Sequence, residues 1–240
     1  MKKILILAAA LLPFLAQAQI GNILKGVENT VNGTGNQSNL TNTEVINGLR
    51  EALTVGTNNS TKKASVVDGF FKNPLIKIPF PPEVKQVETY AKKLGLNKQV
   101  DKFVLTLNRA AETAAKDAAP IFLNAVKQLT IADGFQILNG GNDAATKYLR
   151  SKTEADLKSK FKPVVQKATN KVQLTKYWNP IASAYNKVPL VQKVNPDLNE
   201  YVTLKAIDGL FKLLAQEEAK IRIDPASQIT NLLKKVFGKG

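Results

Sequence analysis

The chain reads as a succession of amphipathic helices. Apolar residues recur at three- and four-residue intervals, and no stretch shows the strict alternation of a half-buried strand. The first periodic segment is "TNTEVINGLREAL". Thr41 and Glu44 fit the reciprocal capping box that opens a helix; Val45, Leu49, Ala52 and Gly56 then follow one face, with Ile46 and Leu53 beside it. Pro82 opens a second helix ending near Leu94-Gly95. A third carries Val100, Phe103, Leu107, Ala111, Ala114 and Ala118 on one face, where the alanines permit close helix contact. Pro120 marks a break and suits the first position of the next helix, which presents Ile121, Phe122, Ala125, Val126 and Leu129. A short helix through Phe135 to Leu138 follows. Ala145, Leu149, Leu157 and Phe161 then keep to one face of a helix that Pro163 is expected to kink or split. Leu204, Ile207, Phe211, Leu214 and Ile221 form a later stripe. Ile229, Leu232, Leu233, Val236 and Phe237 form the last, beyond a break at Asp224-Pro225. The predicted fold class is all-α, a single compact multi-helix domain.

One segment breaks the pattern. In "DGFFKNPLIKIPFPPEV", residues 68 to 84, Pro74, Pro79, Pro81 and Pro82 exclude both a helix interior and a central strand. The prediction is a Pro-rich extended connector near residues 68–82. Its apolar side chains, Phe70, Phe71, Leu75, Ile76, Ile78 and Phe80, either pack over the helices or border a binding groove. Packing is favoured, because exposed apolar surface is costly unless it serves a partner.

The N-terminus has a different pattern again. Lys2 and Lys3 precede an apolar run from Ile4 to Leu15 that is short for a bilayer span, and Ala16-Gln17-Ala18 is a small-x-small cleavage site. This is the layout of a secretory signal peptide, cut after Ala18, and it predicts an exported, periplasmic protein. Residues 19–40, with "NTVNGTGNQSNL", contain little to bury and read as a flexible polar leader. The expected organisation is residues 1–18 signal peptide, 19–40 leader and 41–240 helical domain.

Composition then removes whole chemistries. The chain has no Cys and no His, which excludes disulfides, thiolate or imidazole metal sites, and Ser-His or Cys-His catalysis. Its formal charge is +15, or +13 once Lys2 and Lys3 are removed. Such a balance favours anionic partners. Almost all of it is Lys, with Arg only at positions 50, 109, 150 and 222, so the Arg forks that read phosphates and bases are scarce and nucleic acid is disfavoured as a partner. The densest basic stretch, Lys152, Lys158, Lys160, Lys162, Lys167 and Lys171, is the candidate contact for an anionic membrane surface or envelope polymer.

Three further features have chemical readings. "ILNGGNDAATKYL" places Gly140-Gly141 between two helices. It lacks both the Walker and the dinucleotide-binding patterns, so it reads as a helix C-cap followed by an Asn142 or Asp143 N-cap, not as a phosphate cradle. Glu217 and Glu218 are adjacent and point apart on a helix. The remaining acids, including Glu112, Asp133, Asp143 and Asp208, are scattered without a spacing that selects a catalytic pair. Tyr177, Trp178 and Tyr185, with Lys176 and Lys187 nearby, either stack on a ligand or belong to the core; the core is favoured. Three Asp-Gly pairs, at Asp68, Asp133 and Asp208, have unequal spacings and do not make a repeat. No catalytic, metal or cofactor-binding residue is assigned, and no cofactor is expected.

"DGFFKNPLIKIPFP", "ILNGGNDAATKYL", "KFKPVV", "YNKVP" and "DGLFKLLAQEEAKIRIDPASQITNLLKKVFG" resemble the bacterial family catalogued as domain of unknown function 4197. The resemblance runs from about Val45 to Gly238 and implies an exported, mostly helical protein without supplying an activity. The functional expectation is a non-enzymatic periplasmic binding or envelope-associated protein, with a Lys-rich face for anionic surfaces and room for an apolar ligand. The alternatives are a carboxylate-dependent hydrolase of envelope glycans and a pocketless scaffold.

Overall fold

Thr41 caps the first helix of the described residues. Its hydroxyl accepts the Glu44 N–H at 3.2 Å while the Glu44 carboxylate accepts the Thr41 N–H at 2.9 Å, the reciprocal capping box expected there. The computed structural model describes residues 41–81, 85–171, 178, 183, 185–187, 189–190 and 198–224. Among them are seven helices and no strand: α1 (Asn42–Ser65), α2 (Lys85–Lys93), α3 (Asn97–Ala115), α4 (Ala118–Lys127), α5 (Ile131–Leu138), α6 (Ala144–Lys171) and α7 (Asn199–Ile223). The signal segment, the leader and the last predicted stripe lie outside the described residues.

The all-α, single-domain reading holds for the described residues. α7 is the central element, packed against α1, α3 and α6. Val202, Ala206, Ile207, Leu210, Phe211, Leu213 and Leu214 are all buried, on more than one side of the helix. The predicted stripe was narrower and included Leu204, which is exposed at 39% while Thr203 is buried. The buried arc covers about half of the helix, wider than a stripe, while Lys205, Lys212 and Gln216 keep one face in solvent.

Two proline expectations change. The break before α4 falls at Asp117, and Pro120 is the third residue of the helix. Its missing N–H costs nothing there, since the first-turn N–H groups have no intrahelical acceptor. Pro163 does not split α6, which is a single 28-residue helix. Pro163 and Ser159, whose carbonyl loses its N–H partner, are both exposed, so water can take the lost bond.

The connector packs down. Phe70, Ile76, Ile78 and Phe80 are buried, Phe71 is half-buried and Leu75 is exposed. Polar side chains of α3 hold this irregular backbone. Asn108 accepts the Ile78 N–H at 2.8 Å and donates to the Ile78 carbonyl at 2.9 Å, replacing what a neighbouring strand would supply. The Glu112 carboxylate accepts the N–H groups of Phe70 and Phe71 at 3.1 and 3.2 Å. Arg109 then bridges Glu112 and Asp68, 2.6 Å from each. Phe70 reaches α7 where a side chain is missing: a Cβ on Gly209 would lie 2.6 Å from the Phe70 ring.

Candidate functional site

The α5–α6 joint is where a phosphate cradle was considered, and an anion does occupy the start of α6. It is the carboxylate of Glu218, from α7. It accepts the Ala145 N–H at 2.9 Å, the Thr146 N–H at 2.8 Å and the Thr146 hydroxyl at 2.7 Å. Arg222, one turn along α7, binds the same carboxylate at 2.9 Å and donates to the Ile137 carbonyl at the end of α5, also at 2.9 Å. One turn of α7 therefore supplies an acid to the positive end of α6 and a cation to the negative end of α5. The expected cap by Asn142 or Asp143 gives way to this arrangement, and the Asp143 carboxylate pairs with Lys147 at 3.0 Å. Neither glycine of the pair has a positive φ. Gly140 is required for space instead: a Cβ there would lie 2.6 Å from the Ala144 Cβ and 2.9 Å from the Gln136 carbonyl oxygen, whereas at Gly141 the nearest atom is 3.7 Å away.

The carboxylates are engaged in the same way. Glu217 and Glu218 do diverge, but both are buried rather than solvated. Glu217 binds Lys63 and Asn59 of α1. Burial alone would raise its carboxyl; the bonds from Lys63 and Asn59 outweigh that and hold it below the usual range. Burial likewise acts against Glu88 and Asp208, and is overcome by Lys85 and Lys92 in one case and by Arg150 and Lys212 in the other. Asp68 is lowered by its bonds to Lys72 and Arg109, and Asp133 by the Thr130 hydroxyl in the capping box of α5. A general acid working near neutrality needs the opposite displacement. No group of acids among the described residues is arranged to hold a metal ion.

The basic side chains divide sharply by type. All four arginines are architectural ties. Arg50 of α1 donates to the Leu129 carbonyl beyond the end of α4, at 2.7 Å. Arg109 holds the connector, and Arg222 holds the α5–α6 joint. Arg150 of α6 pairs with Asp208 of α7 at 2.8 Å and lies over the Phe211 ring, 4.5 Å from its centroid. The lysines whose exposure is described remain outside. Lys152, Lys158, Lys160, Lys162 and Lys167 of α6 are exposed, and Lys171 is its last residue. They do not share one face. Lys158 and Lys162 are one turn apart on one flank of the buried row Leu157, Phe161 and Val165, and Lys160 lies about 200° from each, on the other flank. Lys158 is 3.5 Å from Glu154, whereas Lys160, Lys162 and Lys167 have no ion pair among the described residues.

An open groove of about 650 Å³ runs between the end of α3 and the C-terminal half of α6. Arg109, Thr113 and Asp117 line one side, and Pro163, Val164, Lys167 and Ala168 the other. A separate apolar cavity beneath Glu218, lined by Leu49, Leu53, Leu214 and Ile221, measures about 20 Å³, the space of a single water molecule.

The aromatic candidates separate. Trp178 is only 1% exposed. Its ring stacks on Phe103 at 5.1 Å and lies 5.7 Å from Phe80, so it locks the end of the connector to α3 and presents no stacking surface. Tyr185 is buried, with its hydroxyl 3.5 Å from the Gln86 Oε1. Tyr177 lies outside the described residues.

The sequence reading did not single out Asn108, Arg109, Glu218 or Arg222 for these roles. A signal for the first existed: Asn108 and Glu112 sit one turn apart beside Leu107 and Ala111, polar residues placed in the buried sector of a helix. The capping box of α5, Thr130 with Asp133, was also legible as S/T-x-x-D.

Fold and joints together define an all-α protein whose acids and arginines fasten its own loops. The chain matches the family model described as "Protein of unknown function (DUF4197)" over residues 39–238, and it belongs to that family. No curated protein and no solved structure matches it.

Proposed function

We propose that this protein is exported by cleavage after Ala18 and acts as a non-enzymatic binding protein at an anionic surface of the cell envelope. Residues 19–40 serve as the leader, and the rest of the chain forms the helical domain. The observation that carries this reading is the partition of cations: the four arginines are consumed by internal ties, while Lys152, Lys158, Lys160, Lys162 and Lys167 of α6 stand in solvent. Ammonium groups bind as strongly hydrated point charges without the geometric demands of a guanidinium fork. Such a surface suits a field of anionic head groups or an acidic polymer better than a nucleic-acid sequence.

The hydrolase alternative is the weaker reading, because among the described residues the carboxyls with a displaced pKa are displaced downward. The groove at Lys167 and Arg109 leaves room for a small anionic or amphiphilic ligand alongside the surface role. No helix among the described residues is long and apolar enough to cross a membrane.

The test is co-sedimentation of protein recovered after export with vesicles containing or lacking anionic lipid. Binding should require the anionic lipid. It should fall steeply as salt rises from about 0.05 to about 0.5 M, which shortens the Debye length from roughly 14 to roughly 4 Å. Equal binding to neutral vesicles, or none to anionic ones, would sink the reading. Intact mass of the same material, expected to start at Gln19, checks the processing.

A further inference from the structure

The groove between α3 and α6 is bordered by two charges of opposite sign that stay unpaired. Its α3 side is a row spaced one turn apart: Arg109, Thr113 and, just past the end of the helix, Asp117. Arg109 is balanced by Asp68 and Glu112. Asp117 is exposed and has no ion pair among the described residues. On the α6 side Lys167 is exposed and equally without an ion pair among the described residues. With Arg109 accounted for, the groove offers one carboxylate on its α3 wall and one ammonium on its α6 wall, and the two do not pair with each other.

The rest of the α6 wall is apolar. Val164 and Ala168 are half-buried against the core. Pro163 lies inside α6 yet is exposed, so its ring fills no core space and adds apolar surface to the groove instead. The volume of about 650 Å³ falls in the range of small-molecule sites, about 300–1,000 Å³.

These features select a ligand class. A simple anion would suit Lys167 but face Asp117, and a simple cation would suit Asp117 but face Lys167. A zwitterion satisfies both, and the apolar wall favours one that carries an alkyl chain. A phospholipid whose head group joins a phosphate to a primary ammonium has all three parts. The primary ammonium keeps three N–H donors that Asp117 can accept, whereas a trimethylated ammonium has none. The position suits a lipid source as well. Lys160 and Lys167 are seven residues apart and lie within about 20° of each other around α6, so the flank that borders the groove also carries two of the lysines offered to an anionic surface.

We propose that the α3–α6 groove binds a single amine-bearing phospholipid, with Lys167 on the phosphate, Asp117 on the ammonium and the acyl chains starting along Pro163, Val164 and Ala168. The proposal rests on the surface-binding reading above and deepens it by naming the lipid taken from that surface.

The test is calorimetric titration of the exported protein with dihexanoyl-phosphatidylethanolamine and with its choline counterpart, both kept below micelle-forming concentrations. The wild type should bind the ethanolamine lipid about fivefold more tightly, the upper range for a pair at exposed positions. Asp117→Asn should bring the two lipids to the same Kd. Lys167→Met keeps an apolar stem and should weaken both about fivefold without changing their ratio. Phosphoethanolamine without acyl chains should bind at least about tenfold more weakly than the lipid. Circular dichroism on both variants checks that the fold is retained. Wild type that binds neither lipid or both equally, a preference that survives Asp117→Asn, or full-strength binding of phosphoethanolamine alone overturns this assignment. If the protein then still co-sediments with vesicles of anionic lipid, the surface-binding reading stands. A protein that shows the ethanolamine preference but ignores anionic vesicles overturns the surface reading instead.

Discussion

Replacing Glu218 by Ala tests the account of the α5–α6 joint most directly. In the native fold this carboxylate takes two backbone N–H groups and one hydroxyl of α6 and both Arg222 contacts, Nε at 3.0 Å and Nη2 at 2.9 Å. The substitution leaves the Ala145 and Thr146 N–H groups without an acceptor and leaves Arg222, whose side chain is 13% exposed, without its counter-charge. Loss of a capping acceptor costs about 0.5–2 kcal/mol, and removal of one partner of a buried ion pair costs about 3–5 kcal/mol. The two losses share the same groups and do not add, so the expected destabilisation is about 3–5 kcal/mol. Against a total stability on the order of 5–15 kcal/mol this is large. Urea unfolding followed by circular dichroism should show it as a lower midpoint with an unchanged slope. The vacated helix end, with Arg222 beside it, then resembles an anion site. Millimolar phosphate or sulfate should therefore raise the midpoint of the Glu218→Ala protein more than that of the wild type. A destabilisation below about 1 kcal/mol would refute the capping argument. A wild type that gains as much from phosphate as the variant would mean that the joint binds phosphate after all.

The remaining predictions concern neighbouring ties. Gly140→Ala should lose about 1–3 kcal/mol by forcing a methyl against Ala144 and the Gln136 carbonyl, while Gly141→Ala should stay within about 0.5 kcal/mol; paired thermal melts separate them. Asn108→Ala strands both the N–H and the carbonyl of buried Ile78 and should cost about 1–3 kcal/mol, read as a shift in the urea midpoint. The folded-state pKa of Glu217 is lowered, so the stability it contributes is complete above the ordinary carboxylate range and disappears as pH falls through the lowered value. Urea midpoints measured from about pH 7 down to about pH 3 should accordingly fall less steeply for Glu217→Gln than for the wild type, from a lower starting value.

Secondary structure was largely legible because it is local. The capping box at Thr41, the i+4 row of α6 and the alanine-rich face of α3 are set by neighbours within a few residues, and the fold class follows from them. Exclusions by composition were equally secure, since a chain without Cys or His cannot use their chemistry. The helix-joint reading of Gly140-Gly141 also held, but its mechanism did not. Positive φ is a local property, whereas the crowding at Gly140 and the carboxylate at the start of α6 depend on how the chain returns, and Glu218 lies 73 positions beyond Ala145. The same separation hid the bracing of the connector by Asn108 and Glu112, and the enclosure of Trp178 by Phe80 and Phe103. Arginine scarcity was visible in the sequence, but only the tertiary structure showed that all four are internal ties. A guanidinium finds its carboxylate or carbonyl across elements, and the strength of that bond depends on burial that no single segment can provide.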